Sequence, residues 1–263
     1  DPGTYNESLY IDTAVTLMGS GSQNTFVTGG VLMDSPQLSN LTIAGFYFTG
    51  DYSSNNVAIF DVISTNVSDM TIKNCVLDGE NIAGRKAFWG NSAMTGKWVW
   101  DNNEIKNIDN WSVLSNTQTY DSQLKLDQVI FTNNYVHDVS GAIAFRGKEG
   151  QEIDTVIICN NSADYSMYNL SNAWAFVEIN KMIYVEISYN EIHGVPPSNP
   201  TPTGGSEGQA IQVWSTTPWT LEMHDNNISG NYQGIAIALE PRQNTNLYIP
   251  DGSIYYNNIS NMT

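Results

Sequence analysis

The chain has 263 residues, of which 41% are hydrophobic and 11% aromatic, so it carries ample material for a buried core and disorder is excluded. Only 14% are charged, against about a quarter in an average globular chain, and the formal net charge is −17. That balance argues against nucleic acid and anionic lipid as partners, and no apolar run is long enough to cross a bilayer.

Read from the start, residues 2–30 already show strand alternation and glycine turns and form a first coil. From there the chain repeats. TIAGFYF (42–48), TIKNCVL (71–77), DNNEI (101–105), TNNYV (132–136), CNNSA (159–163), SYNEI (188–192), HDNNI (224–228) and IYYNNI (254–259) superimpose on one position. That position holds Phe46, Cys75, Asn103, Asn134, Asn161, Asn190, Asn226 and Asn257, at spacings of 29, 28, 31, 27, 29, 36 and 31 residues. Five and three residues earlier stand apolar pairs, Leu41/Ile43 through Leu221/Met223, and two residues later stand Phe48, Leu77, Ile105, Val136, Ala163, Ile192, Ile228 and Ile259. Spacing by two is strand periodicity, and the single residue between the two apolar sets predicts a one-residue corner.

A third strand per unit is visible in GAIAFR (141–146), FVEIN (176–180), QAIQVW (209–214) and GIAIALE (234–240). Three short strands per unit of about 29 residues, with no amphipathic helix, predict an all-β fold. The expected form is a single-stranded right-handed parallel β-helix (solenoid) of about eight coils, one domain over 1–263. Equivalent asparagines then stack about 4.8 Å apart and can hydrogen-bond along the column. Cys75 and Cys159 fall in different coils and need not pair. The abrupt start at Asp1, and ends that lack caps, point to excision from a longer chain with neighbouring domains. Nine Asn-x-Ser/Thr sequons, together with the repeat class, suggest an extracellular or cell-surface protein.

The opening Pro2-Gly3-Thr4-Tyr5-x-Glu7-x-Leu9-x-Ile11, followed by Val15-Thr16-Leu17-x-Gly19-x-Gly21, resembles the first coil of the pectate-lyase-like superfamily of right-handed β-helices. The asparagine corner is similar to that superfamily's asparagine ladder. The resemblance implies polysaccharide as partner, lyase or glycosidase chemistry, and a substrate groove along the third-strand sheet. Fold does not dictate function, however, and this fold also hosts inert surface proteins. The Asp-Asp pair of polygalacturonase-like hydrolases and the Gln-Asp-Thr and Asp-Phe-Ile-Phe-Gly pieces of pectin methylesterases are absent, as is the Trp-Ile-Asp-His element of one pectate lyase group.

The register names candidates directly. Three residues after the corner, Lys106, His137, Asp164, His193 and Ser229 are expected in one outward column, with Asp164 between two histidines. Such a group can orient a general base or hold a divalent metal; the alternative is a solvated polar row. A second outward column is expected from Arg146, Glu178 and Trp214, with Gln212, Glu240 and Arg242 close by, and its alternative is ordinary surface. The loop 195–208, with four Pro and three Gly, is expected to wall the groove, and 146–152 to add Lys148 and Glu149 opposite it. The catalytic candidates are therefore His137, Asp164, His193, Arg146 and Glu178. Lys148, Gln212, Trp214, Glu240 and Arg242 are expected to bind substrate, and Asp164 and Glu178 to hold Ca²⁺ if an ion takes part. No organic cofactor is expected. The expected activity is that of a polysaccharide lyase or glycoside hydrolase acting on an acidic polysaccharide, the alternative being a non-catalytic carbohydrate-binding module.

Overall fold

A computed structural model describes residues 1–35, 38–50, 58–62, 67–90, 94–116, 126–147, 150–164, 175–194, 210–230, 237–239 and 248–261. Every strand pairing among them is parallel, and the described residues contain no helix. The chain is an all-β parallel solenoid. No helix of the described residues is long and apolar enough to cross a membrane.

Each coil contributes to three faces. The leading face, before the asparagine, stacks nine strands from Thr16–Met18 to Asp251–Tyr255, so the coil number differs slightly from the eight expected. The trailing face follows the asparagine, and the third face carries strands such as Lys86–Gly90, Val177–Asn180 and Ile211–Trp214. Glu104–Asn116 and Tyr135–Arg146 run from the trailing face into the third face without a break, with a register shift between Ile108 and Trp111.

The interior is the set of apolar columns that the period predicts. Trp98 and Trp100 pair in register with Met70 and Ile72 on one side and with Val129 and Phe131 on the other, and all six are fully buried. Phe88 enters from the third face and meets both tryptophans edge-on, at centroid distances of 5.2 and 5.3 Å. On the trailing face Phe48, Leu77, Ile105, Val136, Ala163, Ile192 and Ile228 are buried, whereas Ile259, on the last described strand, is 45% exposed.

The corner differs in detail from the expected one-residue bend. The left-handed residue is the one before the ladder position: Gly45 (φ 77°), Asn74 (54°), Asn102 (53°), Asn133 (56°), Asn160 (58°), Tyr189 (56°), Asp225 (54°) and Tyr256 (53°). Glycine, asparagine and aspartate take that conformation at little cost, because a short polar side chain bonds locally or no Cβ is present. The ladder asparagine then replaces the hydrogen bonds that the bend removes. The Asn161 carboxamide oxygen accepts the Asn134 backbone N–H (2.9 Å) and the Asn134 side-chain amide (3.1 Å). Its own amide donates to Phe131 O (2.9 Å), Cys159 O (3.1 Å) and Asn190 Oδ1 (2.9 Å).

The ladder runs unbroken through Asn103, Asn134, Asn161, Asn190, Asn226 and Asn257, and the first five are each 1% exposed. Cys75 ends it by donating its backbone N–H to Asn103 Oδ1 at 3.0 Å. Burial pushes the Cys75 thiol up to about 11, and both cysteines are free.

Replacing Asn161 with Ala leaves buried donors on Asn134 and the Phe131 carbonyl without their partner. The variant should lose about 3 kcal/mol, read as a lower urea midpoint with unchanged slope. A loss below experimental error would show that the ladder is not needed at that rung.

Candidate functional site

The trailing-face column forms as the register requires. Lys106, His137, Asp164, His193 and Ser229 are successive partners, and Asp78 extends the row one coil earlier. The expected His–Asp–His contact is not the one the imidazoles make. His137 Nδ1 lies 2.7 Å from Asp138 Oδ2, and its Nε2 lies 3.2 Å from Glu104 Oε1. His193 Nδ1 lies 2.8 Å from Ser229 Oγ, and its Nε2 lies 4.0 Å from Glu191. The physical reason is the neighbouring outward column, two residues earlier on each strand, which presents Glu104 and Glu191 to the same space. Both His137 nitrogens thus face carboxylates.

At the head of this column, Tyr47 Oη donates to Asp78 Oδ2 (2.6 Å), while the Asn107 amide (2.8 Å) and the Glu80 N–H (2.9 Å) donate to Oδ1. Burial pushes the Asp78 carboxyl up, but these bonds and the nearby Lys106 outweigh it and hold it below the usual range. The same burial and contact raise the Tyr47 phenol.

On the third face the outward residues fall in two rows, so Arg146, Glu178 and Trp214 do not share one. Arg146, Asn180 and Trp214 are successive partners. Glu178 stands two residues before Asn180, and its row runs Asp61, Trp89, Leu114, Ala144, Glu178, Gln212, Ala238. Arg146 crosses between rows to donate Nε to Glu178 Oε1 (3.0 Å), with Nη2 in an ion pair 2.9 Å from the same oxygen.

This face is not a plain solvated surface. Glu178 is 2% and Gln212 3% exposed. A second cation stands earlier on it, with Lys86 Nζ 4.0 Å from the centre of the Trp89 ring. Burial lowers the Lys86 ammonium and raises the nearby Asp61 carboxyl, each partly opposed by the other. Three buried polar atoms, Trp89 Nε1, Gln212 Oε1 and Trp214 Nε1, have no hydrogen-bond partner among the described residues.

Asp61, Lys86 and Trp89 were not singled out from the sequence. The signal was there in AIFDV (58–62) and KAFWG (86–90), which carry the same alternation as the later third strands.

Asp164 and Glu178, the candidate Ca²⁺ ligands, stand on the trailing and the third face respectively. Among the described residues no three His, Cys, Asp or Glu side chains gather closely enough to hold an ion. His137 and Arg146 lie on one strand nine positions apart, a path of about 30 Å before the bend shortens it. Lys148, Glu149, Glu240, Arg242 and the loop 195–208 lie outside the described residues.

The folded Asp78 carboxyl is held below its unfolded value of about 3.9, so its contribution to stability is present above that value and is lost as pH falls through the folded one. Asp78→Asn should cost about 1–2 kcal/mol at neutral pH and flatten the decline in stability below about pH 4, measured by urea unfolding from pH 7 to 2.5. An unchanged acid limb would remove Asp78 from the account. Comparison of the chain with protein-family models, curated proteins and solved structures finds no match.

Proposed function

We propose that this protein processes an acidic polysaccharide at the cell surface or outside the cell, as a polysaccharide lyase or glycoside hydrolase, in a groove along the third face. The observation that carries this reading is the setting of Trp89 and Trp214 on the same face as the paired charges Arg146–Glu178 and Lys86–Asp61. Indole rings offer flat apolar plates for the C–H faces of sugars, and the two cations sit where uronate carboxylates need neutralising.

The row from Asp61 to Gln212 spans five coil steps, about 24 Å, which suits a chain substrate better than a single small molecule. The asparagine ladder and the opening coil, which resemble the pectate-lyase-like superfamily, support the same reading. In β-elimination, Arg146 neutralises the uronate carboxylate and acidifies the adjacent C–H. Lys148, two positions beyond it in the sequence, is the base assigned to that proton; the electron pair of the C–H bond forms the C4–C5 double bond as the C4–O bond breaks, and the leaving oxygen takes a proton from water. In hydrolysis, Glu178 and Glu240 are the carboxylates assigned as acid and base.

A second reading, a carbohydrate-binding module without catalysis, is favoured by one observation: Glu178 is already committed to Arg146 through a hydrogen bond and an ion pair.

Polygalacturonate, alginate and chondroitin polymers are incubated with the protein while unsaturated uronate is followed by ultraviolet absorbance and new reducing ends by a chemical assay. Removing Arg146 alone breaks a buried pair at about 3–5 kcal/mol, so Trp89→Ala and Trp214→Ala are the informative variants. Each should weaken binding of the processed polymer about tenfold. Binding without either product would leave the second reading. Absence of binding to every uronate polymer would end both.

A further inference from the structure

The corner between the leading and trailing faces holds a cleft to which the third face contributes nothing. Its volume is about 310 Å³, close to the lower end of small-ligand sites. One wall is the row of left-handed residues Asn74, Asn102 and Asn133; another is Glu104 with Tyr135; Ser22 and Gln23 close it from the turn before Thr25–Val27.

Two properties of this cleft point to a ligand. The first is a prepared aromatic plate. Tyr135 is 43% exposed, and its ring stacks on His137 at 4.5 Å and 24°. His137 is in turn pinned between Asp138 and Glu104, so the plate is fixed before anything binds and little side-chain entropy remains to be lost. The second is a set of polar groups with capacity to spare. Asn102 Nδ2 donates to Asn74 Oδ1 at 2.7 Å, which leaves Asn102 Oδ1 and Asn74 Nδ2 without partners among the described residues. Glu104 takes both Lys106 Nζ (2.8 Å) and His137 Nε2 (3.2 Å) on Oε1, and Oε2 has no partner among the described residues.

The charge of the cleft selects among ligands. Burial pushes the Glu104 carboxyl up, but Lys106 and His137 outweigh it and hold it below the usual range, so it accepts hydrogen bonds and repels carboxylate, sulfate and phosphate groups. Lys106, the nearest cation, is spent on it. What remains is a flat ring, neutral amides and one acceptor oxygen, which together complement a pyranose with one C–H face and a rim of hydroxyls.

We propose that the corner cleft bounded by Gln23, Asn74, Asn102, Asn133, Glu104 and Tyr135 is a binding site for an uncharged sugar residue of a glycan. It stands apart from the third-face groove, and its ligand is of opposite character to the uronate assigned there.

The test titrates the intact chain by calorimetry with cellohexaose, mannohexaose and xylohexaose, and with hexagalacturonate as the anionic comparator. At least one uncharged hexaose should bind, and Tyr135→Ala and Asn102→Gly should each weaken it about tenfold. Asn102→Gly removes the amide while preserving the left-handed backbone, and unchanged thermal unfolding of both variants confirms that they fold. Trp214→Ala should leave this binding as it is, which separates the cleft from the groove. No binding of any uncharged hexaose would overturn the proposal. So would binding that both cleft variants retain, binding that Trp214→Ala abolishes, or a Tyr135-dependent preference for hexagalacturonate.

Discussion

One hydrogen-bonding problem organises this molecule: a strand that turns sharply loses its neighbour's carbonyls, and the N–H groups at the bend are then buried with nothing to bond. Here the asparagine side chain of the next coil supplies the missing oxygen, and its amide supplies a donor to the coil before. Each carboxamide thus serves three coils. The apolar columns contribute more free energy in total, since every coil buries several large side chains at roughly 1.5–3 kcal/mol each. Burial is tolerant of small displacements, however, and the ladder is not. It fixes the height of one point per coil, and from that point both flanking strands inherit their register.

Most of the fold was therefore legible in the sequence, because it is written twice, once as the asparagine recurring at 27–36 residues and once as apolar pairs five and three residues before it. The trailing column Lys106–His137–Asp164–His193–Ser229 followed from counting alone. The corner was read as the ladder residue alone, whereas the residue before it carries the positive φ; asparagine occupies both sites in three of the coils, and identity alone does not separate an amide used for bonding from one used for its tolerance of positive φ. The third face was less legible for a related reason. Its strands begin at varying sequence distances from the corner, so no fixed offset locates them, and Arg146 and Glu178 were assigned to one row although they stand in two.

Side-chain pairing was the least legible level. Register says which residues are neighbours and does not say which neighbour wins. His137 sits between Lys106 and Asp164 in its own column, yet its nitrogens turn to Glu104 in the adjacent column and to Asp138 beside it. A sheet surface offers each side chain several partners within reach, and electrostatics together with rotamer preference chooses among them. The same holds on the third face, where Arg146 passes over its own row to reach Glu178.

The ladder also has a direction. In every step the carboxamide oxygen of the later coil faces the N–H groups of the earlier one, so the side-chain dipoles point the same way from Asn257 back to Asn103. Parallel strands bonded along the same axis do not reverse this. A coil is consequently a polar part, like a brick with a top and a bottom. A copy spliced in between two ladder asparagines continues the row, an inverted one faces donor against donor, and gain or loss of whole coils becomes the least disruptive way for such a chain to change its length.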